Sequence, residues 1–358
     1  MRIGLVCPYD LSVPGGVQNQ VFGLAGWLNT EHEVSIIGPG EPPAEVLERY
    51  ELASSQFTTS GGSIPLRFNG SVARVNLGFK PLRKLRLWLS EGDFDLIHVH
   101  EPLAFGISPW ALAFRGGRKV VTCHSSATHH WPWRVAAALH PLAIRRVDAA
   151  IAVSTQASVL ARSYLPNPPV IIGNGISLVS KAGESVSVAT LPRIIFIGRH
   201  DEPRKGLEIF LEAIRLVRQV LDVEAIVVGD GSPRDDEGIK YLGRLSDDER
   251  NSYLLSSDVY VAPHLGNESF GIVIIEAAAA GVHVVASGLP AFRELMSDSQ
   301  GEIASFFDTG NASQAADQII SACQPDPDRI RRGMERAKDF SWETIGPKVL
   351  QVYEAACH

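Results

Sequence analysis

Residues 264–281 read HLGNESFGIVIIEAAAAG, and what flanks them decides the fold. Ahead of them, 258–262 (DVYVA) is a short apolar run bounded by Pro263, the pattern of a buried strand. Behind them, after the helix-stopping Gly281, residues 283–287 (HVVAS) form a second such run. Between the two lie a glycine-containing loop and an almost wholly apolar helix, predicted over 270–280. Strand, loop, buried helix and strand make the repeating unit of a parallel sheet. The helix carries one carboxylate, Glu276, and Glu268 lies in the loop before it. A buried carboxylate needs a partner. Two kinds fit here: a neighbouring arginine, or the hydroxyls of a bound ligand. The backbone N–H groups of Ser269, Phe270, Gly271 and Ile272 open the helix and suit an anion. Two carboxylates for hydroxyls, with an anion site between them, describe a nucleotide sugar.

The same rhythm runs through the rest of the chain. Strands are predicted at 193–197, 224–228 and 240–242 in the second half, and at 2–7, 33–38, 95–100, 119–123, 149–153 and 169–173 in the first. Helical stretches separate most of them. The expected class is therefore α/β, with ligands at the carboxyl ends of the strands. His100, Glu101 and His124 fall at such ends. Asp93 and Asp95 precede their strand, at the opposite edge, and read as surface residues. Residues 177–192 (SLVSKAGESVSVATLP) lose periodicity, so the chain divides into 1–173 and 174–341, with a hinge near Asn174-Gly175. The polar helix near 326–339 and the last helix, from Trp342, are expected to run back over the first domain. Residues 231–239 are too few for a full crossover helix.

Composition narrows the function. The 358 residues are 45% apolar and 20% charged, with a net charge of −7, which argues against nucleic acid as a partner. No apolar run reaches the ~18 residues of a membrane span. The opening MRIGLVCPYD enters a strand at once and does not read as a signal peptide. Cys7, Cys123, Cys323 and Cys357 lack metal-ligand spacing, and a reduced, cytoplasmic state is expected. Residues 1–173 carry 15 Lys+Arg against 12 Asp+Glu, and the remainder is strongly acidic. Residues 52–90 hold six basic residues and no acid. Within them, 80–89 (KPLRKLRLWL) plots as a helix with Lys80, Arg83, Lys84 and Arg86 opposite a leucine stripe. That pattern fits an ordinary surface helix or one facing an anionic membrane.

Two further loops carry chemistry. Residues 8–16 (PYDLSVPGG), between a strand and a helix predicted over 17–28, form either a turn or a glycine approach to phosphate. Residues 198–206 (GRHDEPRKG) bring Arg199 to a strand end and Lys205 to a helix start, two cations suited to a diphosphate without a metal ion. Glu268 and Glu276 at their spacing, the GR…RKG loop and VPGGVQ together resemble the retaining GT4-type glycosyltransferases of GT-B fold, along nearly the whole chain. Within that family, NGSVAR (69–74), EGDFDLIHVHEP (91–102) and APHLGNESFGIVIIEAAAAG resemble the actinobacterial branch that mannosylates phosphatidylinositol.

The resemblance implies two Rossmann-like domains facing across a cleft and no tightly bound cofactor. It implies GDP-mannose as donor, phosphatidylinositol as acceptor, and work at the inner face of the cytoplasmic membrane. Arg199, Lys205 and Arg204 would meet the donor diphosphate, with Gly15 and Gly16 approaching from the other domain. Glu268 would take sugar hydroxyls and Glu276 the ribose, with Leu245 and Asp247 near the base. His124 would lie against the transferred sugar. Tyr9, Gln18, Asn69, Ser71 and Arg74 would line the inositol-phosphate site. The chain departs from the family pattern at Phe68, where a tyrosine is expected, and over 126–134 (SATHHWPWR). Two alternatives stay open: a GT4 enzyme with another donor and acceptor, or a non-catalytic nucleotide-sugar binder.

Overall fold

The structure, a computed structural model, describes residues 1–13, 15–68, 71–127, 129–178 and 191–358. The chain forms two compact units, Met1–Gly175 with Trp342–His358, and Ile176–Ser341.

In the first unit seven parallel strands lie in the order Phe57–Thr59, Glu33–Gly38, Arg2–Val6, Leu96–His100, Arg118–Cys123, Ala149–Ala152 and Val170–Ile171. In the second, six parallel strands follow the same plan: Ile239–Gly243, Glu224–Val228, Arg193–Ile197, Val259–Ala262, His283–Ser287 and Ser305–Phe307. Both are Rossmann-like orders. In each, the strand order reverses between the first strand of the unit and the fourth, which opens a crevice at their carboxyl ends. The central strands are buried on both faces because helices cover both. Glu224–Val228 and Ile239–Gly243 are parallel neighbours with no helix between them, and their register slips at Val227/Val228. An antiparallel hairpin, Ile64–Phe68 with Ser71–Val75, interrupts the first unit between its third and fourth strands.

The last helix, Trp342–Cys357, belongs to the first unit and packs on Gly16–Leu28. Each helix offers a glycine to the other's indole. A Cβ on Gly23 would lie 2.4 Å from Trp342, and one on Gly346 would lie 2.3 Å from Trp27. Gly175 is held between Trp342 and the side chain of Gln20, which donates to its carbonyl and accepts its N–H, both at 2.8 Å. The polar helix Pro327–Lys338, by contrast, belongs to the second unit. Gly333 lets it approach Ala278 on Ile272–Ala279, so its narrow small-residue face is used there.

Candidate active site

In the second unit the crevice between Arg193–Ile197 and Val259–Ala262 receives the two loops singled out above. Gly206 joins them. Its φ is +75°, and a Cβ there would lie 1.9 Å from the Pro263 carbonyl oxygen, so only glycine fits. Leu265 N–H donates to the Arg204 carbonyl at 2.8 Å and completes the seam.

Glu268 is the hub. Its Oε2 lies 2.8 Å from Lys205 Nζ, 3.0 Å from Arg204 Nη1 and 3.4 Å from His264 Nε2. Lys205 Nζ also lies 3.0 Å from His264 Nε2. Glu202 accepts from Arg204 Nη2 at 2.9 Å and Arg199 Nη1 at 3.3 Å. Burial alone would raise the Glu268 pKa. Lys205, His264 and Arg204 outweigh it and hold the carboxyl at about 2. Burial, with Lys205 beside it, pushes His264 down to about 3, so that imidazole is neutral. The arrangement is a charged, largely desolvated cluster with cations in excess.

The helix after this loop begins at Ile272 and ends at Ala279, two residues later and one earlier than expected. Gly271, at φ +103°, is its N-cap, and a Cβ there would press on Phe292. Phe270 is buried against Phe340 and leaves its backbone, not its side chain, for a ligand. Ser269 is half-buried in the turn before it. Glu276 meets Arg250 Nη2 at 3.3 Å, so the arginine alternative describes its partner in this structure. Arg250 also lies 3.5 Å from Asp247, the first residue of helix Asp247–Leu255, with half-buried Leu245 just before.

The first unit builds its crevice differently. His98 and His100 share one face of their strand, and His124 follows the neighbouring strand. Ring centroids stack at 4.4 Å between His98 and His100 and 5.2 Å between His100 and His124. His100 Nδ1 and His124 Nε2 are 2.9 Å apart, while His98 bonds the Tyr353 hydroxyl at 2.6 Å and Thr122 at 2.7 Å. Burial lowers His98 to about 3 and His124 to about 4, and His100 lies well below its ordinary range, so the column is uncharged. Glu101, held at φ +50°, accepts the His124 N–H at 2.6 Å; burial raises its pKa. Burial pushes both Cys7 and Cys123 up to about 12, which makes them packing residues.

The hairpin meets loop 8–16 through Asp10. Its carboxylate accepts from Ser12 Oγ at 2.6 Å and from Ser63, with Arg74 Nε at 3.8 Å, while Asp10 N–H donates to the Arg74 carbonyl at 3.0 Å. Tyr9 precedes it, its hydroxyl pKa raised well above the ordinary value by burial. Gln18 spends its amide nitrogen on the carbonyls of Asp10 and Val13, both at 3.1 Å, so it fastens the loop. Gly15 caps helix Gly16–Leu28 in extended backbone, which starts one residue before the expected Val17. Arg74, Tyr9 and Gln18 thus share one neighbourhood; Asn69 and the side chains of Ser71 and Phe68 lie outside the described residues. Lys80, Arg83 and Arg86 are exposed on helix Phe79–Glu91, and Lys84 Nζ donates to the Thr59 carbonyl at 3.0 Å. Asp93 is exposed and pairs with Arg2.

Family models described as Glycosyltransferase Family 4 and Glycosyl transferases group 1 match residues 14–179 and 191–324. The phosphatidyl-myo-inositol mannosyltransferase of Propionibacterium freudenreichii is 43% identical over 99% of this chain and 95% of its own length. The chain belongs to that family of GT4 glycosyltransferases. Its relative of the same name in Mycolicibacterium smegmatis is 37% identical over 99% of this chain and 94% of that protein. Among solved structures, Anabaena HepE in complex with UDP-glucose matches with a TM-score of 0.74 at 19% identity, over 99% of each chain. Sucrose-phosphate synthase from Thermosynechococcus elongatus gives 0.72 at 18%, over 98% of each. At that identity the likeness bears on the fold, which is GT-B. The family glycosyltransferase carries two features its sequence did not announce. Arg250 is remote in sequence from Glu276, and its only signal was the carboxylate's need of a partner. His264 stood inside the decisive stretch, four residues before Glu268, a spacing that could have marked it.

Proposed function

We propose that this glycosyltransferase transfers mannose from GDP-mannose to the inositol ring of phosphatidylinositol, with retention at the anomeric carbon. The observation that carries the donor half is the Arg204–Lys205–Glu268–His264 cluster at the second unit's switch point. Two relatives named for mannosyl transfer to phosphatidyl-myo-inositol, each covering nearly the whole chain, support the acceptor half.

In this reading Arg199 and Lys205 neutralise the diphosphate as it departs, worth about 10²–10³-fold in rate for a well-placed donor. Glu268, kept ionised, accepts from sugar hydroxyls, Glu276 takes the ribose, and the 243–247 loop lies near the base. The acceptor oxygen attacks the anomeric carbon on the face the phosphate leaves. The bond from that carbon to the β-phosphate oxygen breaks, and the hydroxyl proton passes to that phosphate, giving GDP. No metal ion is required, because the cations take up the developing charge. The enzyme works peripherally at the inner membrane face: Lys80, Arg83, Lys84 and Arg86 meet acidic phospholipid, each worth about 1 kcal/mol near the surface.

The test is incubation of the purified chain with radiolabelled GDP-mannose and phosphatidylinositol vesicles, with and without EDTA. Labelled α-mannosyl lipid is expected in both arms. Label absent from lipid, or restored after EDTA only by magnesium, overturns the acceptor or the metal-free claim respectively.

A further inference from the structure

The segment 126–134, which departs from the family pattern, runs into the first of two short helices, Trp131–Leu139 and Pro141–Arg145, and these leave an apolar face uncovered. On the first, Trp133 and Ala137 turn toward the sheet's core. Trp131, Val135 and Leu139, one helical turn apart, turn away from it, and Trp131 and Leu139 are 67% and 73% exposed. Leu142 on the second helix continues the face at 60%. A run of large exposed apolar side chains of this kind marks an interaction surface.

Charge says which. Between Glu101 and Asp148 there is no Asp or Glu, while Arg134, Arg145 and Arg146 are exposed beside the apolar stripe. A tryptophan and leucines on short helices that also carry exposed arginines, in a stretch without a single acid, are complementary to an anionic lipid interface. Position agrees. Pro141–Arg145 packs on Ser108–Ala113, which packs on Phe79–Glu91, so these helices form one layer over one sheet face. That basic helix presents its own apolar groups outward, Phe79 at 93% exposed.

We infer that the Trp131–Leu142 face is a second membrane-docking element, inserting apolar side chains into an anionic phospholipid surface. It goes beyond the proposed transfer reaction and does not depend on which lipid is glycosylated. Its contribution is apolar and so resists salt, whereas attraction by Arg83, Lys84 and Arg86 is screened within a Debye length.

The test uses the full chain, vesicles of phosphatidylglycerol in phosphatidylcholine, and co-sedimentation at low and high salt. W131S/L139S is expected to lower partitioning about tenfold, with most of the salt-resistant binding lost and the melting temperature unchanged. R83S/K84S/R86S is expected to lose the salt-sensitive part instead. Quenching of tryptophan fluorescence by brominated lipid is expected for the parent and reduced in W131F, which keeps the apolar face. Parent-like partitioning of W131S/L139S at high salt, with W131F quenched as strongly as the parent, overturns the inference. Self-association that W131S/L139S abolishes while vesicle binding stays intact overturns it too, and makes the face a contact between copies. Transfer to detergent-dispersed phosphatidylinositol reads the proposed reaction separately, and W131S/L139S should retain it.

Discussion

The two crevices of this glycosyltransferase sit at the same topological point of two similarly ordered sheets and are electrostatic opposites. In the Ile176–Ser341 unit the crevice holds a carboxylate pulled down to about 2 among two cations and a neutral imidazole. In the Met1–Gly175 unit it holds three stacked imidazoles that burial keeps uncharged. The same backbone plan therefore carries one crevice lined by cations in excess and another lined by uncharged imidazoles. Topology fixes where a ligand goes; the side chains at the strand ends decide its charge.

If that contrast is right, removing charge from one side and adding it to the other should have separable effects. The largest is on turnover: Arg199→Ala and Lys205→Ala should each slow mannosyl transfer about 10²–10³-fold. Near-parent rates in both would remove the charged side of the comparison. Next comes pH. The unfolded chain protonates His98, His100 and His124 near pH 6.5, whereas in the folded chain burial holds His98 down to about 3 and His124 to about 4, and keeps His100 well below its ordinary range. Stability should thus fall as pH drops below about 6.5, by up to about 1.4 kcal/mol per unit for each imidazole. Glu268 adds its loss later, between its ordinary value near 4.5 and about 2. Denaturation curves at pH 7 and 5 for the parent and His100→Asn check this, and an unchanged slope in the variant would contradict it. The smallest effect is expected at Arg74, whose pairing with Asp10 at 3.8 Å is half exposed. Arg74→Ala should cost under about 1 kcal/mol of stability, yet lower transfer to phosphatidylinositol, as chemical denaturation and the lipid assay would show.

Much of this fold could be read from the chain because its central strands are apolar, short and punctuated by Gly and Pro. Glu33–Gly38, Arg193–Ile197, Glu224–Val228 and His283–Ser287 fall where the pattern puts them. The edge strands Phe57–Thr59 and Ser305–Phe307 did not stand out, being only three residues long. The hairpin at Ile64–Phe68 was hidden by Pro65, which demotes a strand pattern, and by the shortness of its two arms. In the site, the loops carrying Lys205 and Glu268 were legible from residue type, but their mutual bond was not, because it forms across the sheet. His98 was visible two positions before His100, on the same strand face. Its meaning depends on Tyr353, far along the chain in the last helix.

The claim that the donor is held by charge in the second unit is tested most directly by calorimetric titration of GDP into three full-length proteins. These are the parent, R199A/K205A and His124→Ala. The account predicts that R199A/K205A weakens GDP binding at least about 100-fold, or about 2.7 kcal/mol, while His124→Ala stays within a few-fold of the parent. Equal losses in both variants, or parent-like affinity in R199A/K205A, would contradict it.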